Sequence, residues 1–408
     1  MKKKNNIEVG FINSAKIDPF SFSGGTITSN EYWRYGSNNL WPYALAMLSR
    51  EVPIHRRILN DKRNYTLGRG IVADKKEKEI QKYLSHVNNL GNNISDVLSN
   101  VIYDRYLTGN GYLEVVTNRK NTFLSLFHQD STKCRLARDK KHIILYHDWH
   151  QYNVTESKIL PIYPLFEEME DGTLRSIIVY KDYEPMYENY GIPDYISGLN
   201  VSAIAYKTDR WNISRLDNSF QLSGTLELDA DTVDEDKARE IKEKAERKFS
   251  GHPGEIMVFV KNMVEENRGT KFTPISSNNE GDWSDLHDKS TTDIIISHSW
   301  FRELSGMDYT TGFSSERILY AYEIVLNTMI SGIQEKILSP IRQIINDILG
   351  YDPSSISFLN KPPLTVKPDY MKIWEARKID GLDYDEKDPS QNIYLSQINK
   401  NGTSDNGK

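Results

Sequence analysis

A long apolar stripe with a proline inside it dominates the C-terminal third of the chain. Ile318, Tyr322, Val325, Met329, Ile333, Ile337, Ile341, Ile344 and Ile348 recur at steps of three and four, the spacing of one helical face. A continuous helix from Ser315 to Leu349 would span roughly 50 Å at 1.5 Å per residue. Pro340 removes one backbone donor, and its ring crowds the preceding turn, so a bend is expected there. Ahead of the stripe lies Ser305-Gly-Met-Asp-Tyr-Thr-Thr-Gly-Phe-Ser-Ser-Glu316. Its two glycines and small polar residues mark a loop able to move between packed flanks. The stripe reads either as an intramolecular core helix or as a surface offered to a second copy, and both readings stay open.

With 408 residues, 38% of them hydrophobic and 26% charged, the chain is long enough for two or three structural regions. The mean hydropathy of −0.60 and the lack of an apolar run near ~18 residues give no reason to expect a membrane partner. A single cysteine, Cys134, excludes an internal disulfide and any multi-cysteine metal site within one subunit. The net charge of −6 does not favour a surface that grips phosphates; it is compatible with a surface past which nucleic acid slides, although for an acidic chain of this size the commoner reading is a soluble protein with no nucleic-acid role.

Residues 1–40 read as a polar arm, with the aromatic insert Tyr32-Trp33-Arg34-Tyr35-Gly36 docking its end. Asn38 or Asn39 is placed to cap a helix with Pro42 in its first turn. Further helices are expected from Pro53, over Lys75 to Val87, and from Ile94 to Leu107. The pattern then switches to strands: Gly109-Asn-Gly-Tyr-Leu-Glu-Val115, Phe123 to Phe127, Cys134 to Ala137 and His142 to Tyr146. Ile159 to Phe166 and Leu174 to Tyr180 read as a hairpin. After Tyr190-Gly-Ile-Pro193 comes a helix from Tyr195 to Leu216. A compact βαβ unit follows, with strands Leu222 to Leu228 and Glu255 to Val260 around a charged helix, Val233 to Phe249. The fold class is α+β.

Chemistry-bearing motifs are weak. There is no Gly-x-x-x-x-Gly-Lys-(Ser/Thr) loop, no His-Glu-x-x-His and no Gly-x-Ser-x-Gly. His142, His147, Asp148 and His150 lack the convergent spacing of metal ligands and read as surface groups. Gly68-Arg-Gly70 and Gly109-Asn-Gly111 read as turns, not phosphate cradles. Asp282, Asp285, Asp288 and Asp293 suit helix-start capping or an acidic lining better than a metal centre. No cofactor is expected.

In their order, these segments resemble the portal proteins of tailed bacteriophages. Gly109-Asn-Gly-Tyr-Leu-Glu-Val115 is similar to the family's recurrent wing strand, and Tyr190-Gly-Ile-Pro193 to its step into the first stem helix. Phe220-Gln-Leu-Ser-Gly-Thr-Leu226 and Phe249-Ser-Gly-His-Pro-Gly-Glu-Ile-Met-Val258 resemble the entry to and return from the clip. Ile337-Leu-Ser-Pro340 resembles the helix kink. Where the family often carries Pro-Pro or Val-Pro at the loop entrance, this chain has Glu303-Leu-Ser-Gly306.

The resemblance implies an arm (1–40), an α+β wing (41–190), a first stem helix (191–217) and a clip (218–283). A second stem helix (284–304), a tunnel loop (305–315), a kinked helix (316–349), a small crown (350–390) and a disordered tail (391–408) complete it. It implies a ring of about twelve subunits, closed by heterologous contacts, at one capsid vertex of a virion assembled in the host cytoplasm. Double-stranded DNA would pass through the channel during packaging and ejection, with Gly306, Asp308, Tyr309, Thr310, Thr311 and Gly312 nearest it. The implied partners are the terminase large subunit, the major capsid or scaffold protein, and neck or adaptor proteins, with no catalytic activity in the chain itself. Competing expectations are another virion component, of neck or baseplate, and a phage-encoded nuclease or hydrolase.

Overall fold

The structure, a computed structural model, describes residues 31–74, 76–217, 224–229, 257–261, 271–274, 280–306, 315–364, 371–380 and 383–395. The first helices are α1 (Trp41–Glu51) and α2 (Pro53–Leu67), followed by the short strand β1 (Ile71–Val72) and helices α3 (Lys78–Ser85) and α4 (Ile94–Thr108). Asn93 caps α4 reciprocally: its side chain accepts from the Asp96 N–H at 2.9 Å while the Asp96 carboxylate accepts from the Asn93 N–H, which satisfies two orphan donors. Gly109 ends the helix at φ +78, a left-handed position that glycine fills without strain.

The strands are β2 (Asn110–Thr117), β3 (Ser125–Gln129), β4 (Cys134–Leu136), β5 (His142–Leu145), β6 (Lys158–Pro161), β7 (Glu167–Glu168) and β8 (Leu174–Lys181). They form two antiparallel sheets, β3-β2-β8-β7 and β4-β5-β6. All eight residues of β2 are buried, because α4 covers it and β3 and β8 flank it. Even Glu114 is enclosed, its carboxylate held by Lys158 and Arg175, as a buried charge requires.

The expected hairpin between 159–166 and 174–180 divides differently. β6 pairs with β5, and only Glu167 and Glu168 turn back onto β8. The two sheets are joined by the single parallel bridge Ile162↔Ile177, so strand-like sequence on both sides of a turn did not mean mutual pairing. Two smaller differences are local. The cap of α1 is Leu40, with no side-chain bond, since Asn39 turns inward at φ +64 to accept from Tyr35 N–H and Arg135 Nε–H. The charged helix expected over 75–87 spans only Lys78–Ser85.

After β8, helix α5 (Leu199–Asp217) leads to strands β9 (Gly224–Asp229), β10 (Met257–Lys261) and β11 (Lys271–Pro274). β9 and β10 are parallel, and β11 pairs antiparallel on the other side of β9. A parallel pair needs a long crossover; the expected helix 233–249 lies in that stretch, outside the described residues. Helix α6 (Glu280–Ser297) returns alongside α5.

Helix α7 (Ser315–Val325), a π-turn (Leu326–Ile330), helix α8 (Ser331–Ile344) and a second π-turn (Ile345–Leu349) make one uninterrupted helical run containing Pro340. Strand β12 (Ser357–Phe358) pairs with β1, and helix α9 (Ile373–Asp380) follows. Of the tail expected to be disordered, residues 391–395 fold back on the start of α9: Ile373 N–H donates to Ile393 O and Leu395 N–H to Met371 O. Residues 396–408 lie outside the described residues.

Candidate functional site

The chain on either side of the loop expected at 305–315 is anchored. Asp308, Tyr309, Thr310, Thr311 and Gly312 lie outside the described residues. Gly306 is described: it closes a 3-10 turn, Glu303–Ser305, at φ +71, where any side chain would be strained. Upstream, the expected stem helix 284–304 begins and ends earlier, spanning Glu280–Ser297. Ser299 takes φ +50, and Trp300 N–H donates back to Ile295 O at 3.1 Å. Ile294 and Ile295 at the end of the helix and Trp300 and Leu304 beyond it are buried, the latter two packed into the core by non-helical backbone.

One side chain ties the two ends together. The Tyr65 ring on α2 lies 5.8 Å from Trp300, before the loop, and 5.7 Å from Tyr322, after it. Such aromatic contacts each add about 0.5–1.5 kcal/mol beyond area burial. The same helix supplies His55, fully buried, whose Nδ1 lies 2.8 Å from His298 Nε2 at the end of α6. Tyr195, just before α5, packs against both imidazoles, with centroids at 4.5 and 4.7 Å. The segment ahead of α5, the end of α6 and the base of the loop thus converge on α2. Burial pushes both histidines below their ordinary range, His55 to about 3, and the Lys62 ammonium adds to the effect.

A second junction joins the start of β2 to the segment ahead of α5. Gly191 N–H donates to Asn110 Oδ1 at 2.8 Å, and Asn110 Nδ2 donates to Gly191 O at 3.0 Å. A Cβ on Gly191 would lie 2.1 Å from Gly109 O, so only glycine permits this approach. Above it, Tyr35 stacks on Tyr190 at 4.1 Å, nearly parallel. Gly109-Asn110 and Tyr190-Gly191, notable separately in the sequence, are two halves of one contact.

After the loop, Ile318, Tyr322 and Val325 are buried, and the next buried position is Ile330, five residues on. The π-turn accounts for that step. Ser331 Oγ donates to Leu326 O, five residues back, at 2.7 Å. Past it, Gln334 is buried and donates to Thr66 O at 2.8 Å and to Asn360 Oδ1 at 2.7 Å, fixing α8 to the end of α2. Pro340 sits within α8 beside β8, where Tyr180 OH donates to Ile337 O at 3.2 Å.

The histidine cluster does not converge. His142 is held between Asp139, at 2.5 Å, and Glu167, at 2.9 Å. Burial disfavours its charge, but the two carboxylates outweigh that and raise its pKa. His147 and His150 are exposed on the following turn. Among the described residues no group of three or more His, Cys, Asp or Glu is placed to hold a metal ion, and no helix is long and apolar enough to cross a membrane.

Tyr65, Trp300, His55 and His298 were not singled out by sequence reasoning. Each is ordinary in its local pattern, and only the tertiary meeting of α2 with α6 and α7 gives it a role.

Comparison with known proteins places this geometry. A probable portal protein of Haemophilus phage HP1 (strain HP1c1) is 24% identical over 201 residues, covering 47% of this chain and 53% of that protein. The match thus spans about half the length of the curated relative. A chain from the virion of a native gene transfer agent particle matches in fold with TM-score 0.51 at 14% identity, covering 84% of this chain and 94% of that one. A chain from the neck of a native gene transfer agent particle, computed with C12 symmetry, gives TM-score 0.51 at 13% identity, covering 84% and 95%. The sequence profile described as phage portal protein matches residues 64–294, more than half of the chain, and the chain belongs to that family.

Proposed function

We propose that this chain is the subunit of a portal ring of about twelve copies, seated at the unique vertex of a phage capsid, through whose channel double-stranded DNA is packaged and later ejected. The observation that carries this reading is the helical hairpin: α5 and α6 run side by side, the β9–β11 sheet lies between them in sequence, and both pack on the first helices of the chain, α5 on α1 and α6 on α2. In this assignment residues 41–190 are the wing, 218–283 the clip, 305–315 the tunnel loop and 350–390 a small crown. The neck chain with twelve-fold symmetry supports the ring.

A closed ring needs two different complementary faces on each subunit. Exposed apolar side chains on the stem and loop-flanking helices supply candidates: Ile204 and Ile213 on α5, Ile296 on α6, Tyr320 and Ile324 on α7, each 39–67% exposed. The buried stripe is on the other side of α7, so that helix packs inward by one face and offers the other to a neighbouring copy. The clip docks the terminase large subunit during packaging and neck or adaptor proteins afterwards, and the wing contacts the capsid or scaffold protein. The residues DNA passes are Gly306, Asp308, Tyr309, Thr310, Thr311 and Gly312, with Pro340 bending the helix that follows. The chain contributes no catalytic step.

Electron microscopy of the purified full chain, with end-on views classified by rotational symmetry, tests the reading. Rings with a channel of at least ~20 Å, the width of duplex DNA, are expected. Only monomers or compact dimers across a range of salt would sink it.

A further inference from the structure

The sheets β3-β2-β8-β7 and β4-β5-β6 meet along a short seam. Ile162 pairs with Ile177 as a single parallel bridge, Tyr163 N–H donates to Ile177 O at 3.0 Å, and Ile162 N–H donates to Lys141 O at 2.7 Å. Residues 162–166 then carry the backbone from β6 in one sheet to β7 in the other. β7 is slight: Glu167 and Glu168 pair with Arg175 and Leu174, and both glutamates are exposed. At this seam stands His142, the first residue of β5.

Both ring nitrogens of His142 are engaged by carboxylates. Nδ1 lies 2.5 Å from Asp139 Oδ2, in the turn between β4 and β5, and Nε2 lies 2.9 Å from Glu167 Oε1, across the seam. An ionised carboxylate only accepts, so two such contacts need two N–H donors, which only the imidazolium has. The neutral ring has one N–H and satisfies one of them. The two contacts are not equal. Asp139 is fixed by its own turn, where Oδ1 also accepts from Lys141 N–H at 2.8 Å and from His142 N–H at 3.2 Å. Glu167 reaches in from a two-residue edge strand, its side chain 53% exposed. A neutral ring therefore keeps Asp139 and turns the Nε2 lone pair toward the Glu167 carboxylate, which repels it.

We infer that His142 is a proton-operated latch between the two sheets: charged, it holds Glu167 and the 162–167 segment to β5, and neutral, it releases them. The charged groups around it are Asp139 and Glu167 in contact, Glu31 and Arg138 lining the same groove, Lys141 beside it in the chain, and Arg175 opposite Glu167 on β8. Burial opposes the ring's charge, but Glu167 and Asp139 outweigh it, so its pKa lies above the ordinary ~6.5. The tie is complete below ~6.5 and is lost as pH rises through the raised value. What it releases has a place in the fold. Ile162 and Tyr163 line a groove of about 910 Å³ that Gly332, Ser339 and Pro340 of α8 also line, and Tyr163 OH donates to Asp347 Oδ2 in the second π-turn at 3.4 Å. A proton on β5 thus sets how firmly the segment beside the Pro340 helix is held.

The test is hydrogen–deuterium exchange of the full chain, read by mass spectrometry at about pH 6 and about pH 8.5 and corrected for the intrinsic pH dependence of amide exchange. In the native chain, residues 162–168 should lose about tenfold in protection over that interval, the equivalent of about one unit of pKa shift, while β2 (Asn110–Thr117) stays unchanged. His142→Gln, which has no charge to gain, should be poorly protected there and alike at both pH values. Glu167→Gln should also be alike at both, since an amide accepts from the charged ring and donates to the neutral one. Equal protection of the native chain at both pH values, a drop that β2 shares, or a drop that persists in either variant would each overturn the latch.

Discussion

His55 and His298 form a fully buried imidazole pair, Nδ1 to Nε2 at 2.8 Å, that joins α2 to the end of α6. Their outer nitrogens, His55 Nε2 and His298 Nδ1, have no partner. Two neutral imidazoles carry two N–H groups, and the pair uses one of them. Whichever tautomer is present, one buried N–H is left unpaired, which costs about 1–3 kcal/mol. Two apolar side chains of similar size would avoid that cost.

The pair makes stability depend on pH in a defined direction. The facing titratable groups are the buried Lys62 ammonium and Tyr195, and no carboxylate is among the causes of either histidine's shift. Both histidines have lowered pKa values, His55 to about 3, so the unfolded chain takes up protons first as pH falls below ~6.5. Their contribution is complete above that value and is lost as pH falls, the His55 share toward about pH 3, at up to ~1.4 kcal/mol per unit and per histidine. Chemical denaturation between pH 7 and pH 4 should show a shallower acid slope for His55→Leu with His298→Leu than for the native chain. Equal slopes would mean that other groups carry the dependence.

Asn110 gives a second prediction. Its amide bonds both backbone groups of Gly191, and Tyr35 OH also donates to Gly191 O, so Asn110→Ala leaves the buried Gly191 N–H unpaired, at about 1–3 kcal/mol. Gly191→Ala should cost more still, because its Cβ would lie 2.1 Å from Gly109 O and backbone must move. Thermal unfolding should place the two variants in that order below the native chain. A melting temperature for Asn110→Ala within a degree of native would contradict the assignment.

Legibility in the sequence followed the range of the interaction. The face of α4, the buried run of β2 and the glycine turn at Gly109 follow from local spacing, and they appear where that spacing put them. Local spacing does not reveal which strand a strand pairs with, so β6 was given to β8 when it belongs with β5. The end of α6 was misplaced because Trp300 and Leu304 continue an apolar run while leaving the helix. At the candidate loop, the flanks were legible as helices. Tyr65, which joins them, lies some 250 residues from Tyr322 and carries no signal of its own.

The π-turn at Leu326–Ile330 leads to an unusual deletion. In an α-helix, removing one residue rotates everything beyond it by about 100°. A π-turn already holds one residue more than the α-helical path, so removing the exposed Asn327 should restore that path. Ile330 and Gln334 would keep their buried places. The Asn327 deletion should therefore melt within a few degrees of native, whereas deletion of exposed Lys336 in α8 should destabilise strongly. Equal damage from both would show that the π-turn is not a removable insertion.

The loop itself is tested by separating assembly from transport. Trp300 and Tyr322 are held through Tyr65 without any residue between Gly306 and Ser315, so folding and ring formation need not depend on that stretch. Deleting Met307 to Gly312 should leave thermal stability and ring symmetry unchanged and reduce the amount of DNA packaged or retained in particles. Asp308→Ala with Tyr309→Ala should reduce it less, because short polar groups that touch the backbone act together and no single one fixes the duplex. If the deletion abolished folding, the segment would be core, and the assignment of 305–315 as a tunnel loop would fail. If rings formed and packaged normally, DNA would pass without contacting it, and the contact would have to lie on α6 or α7.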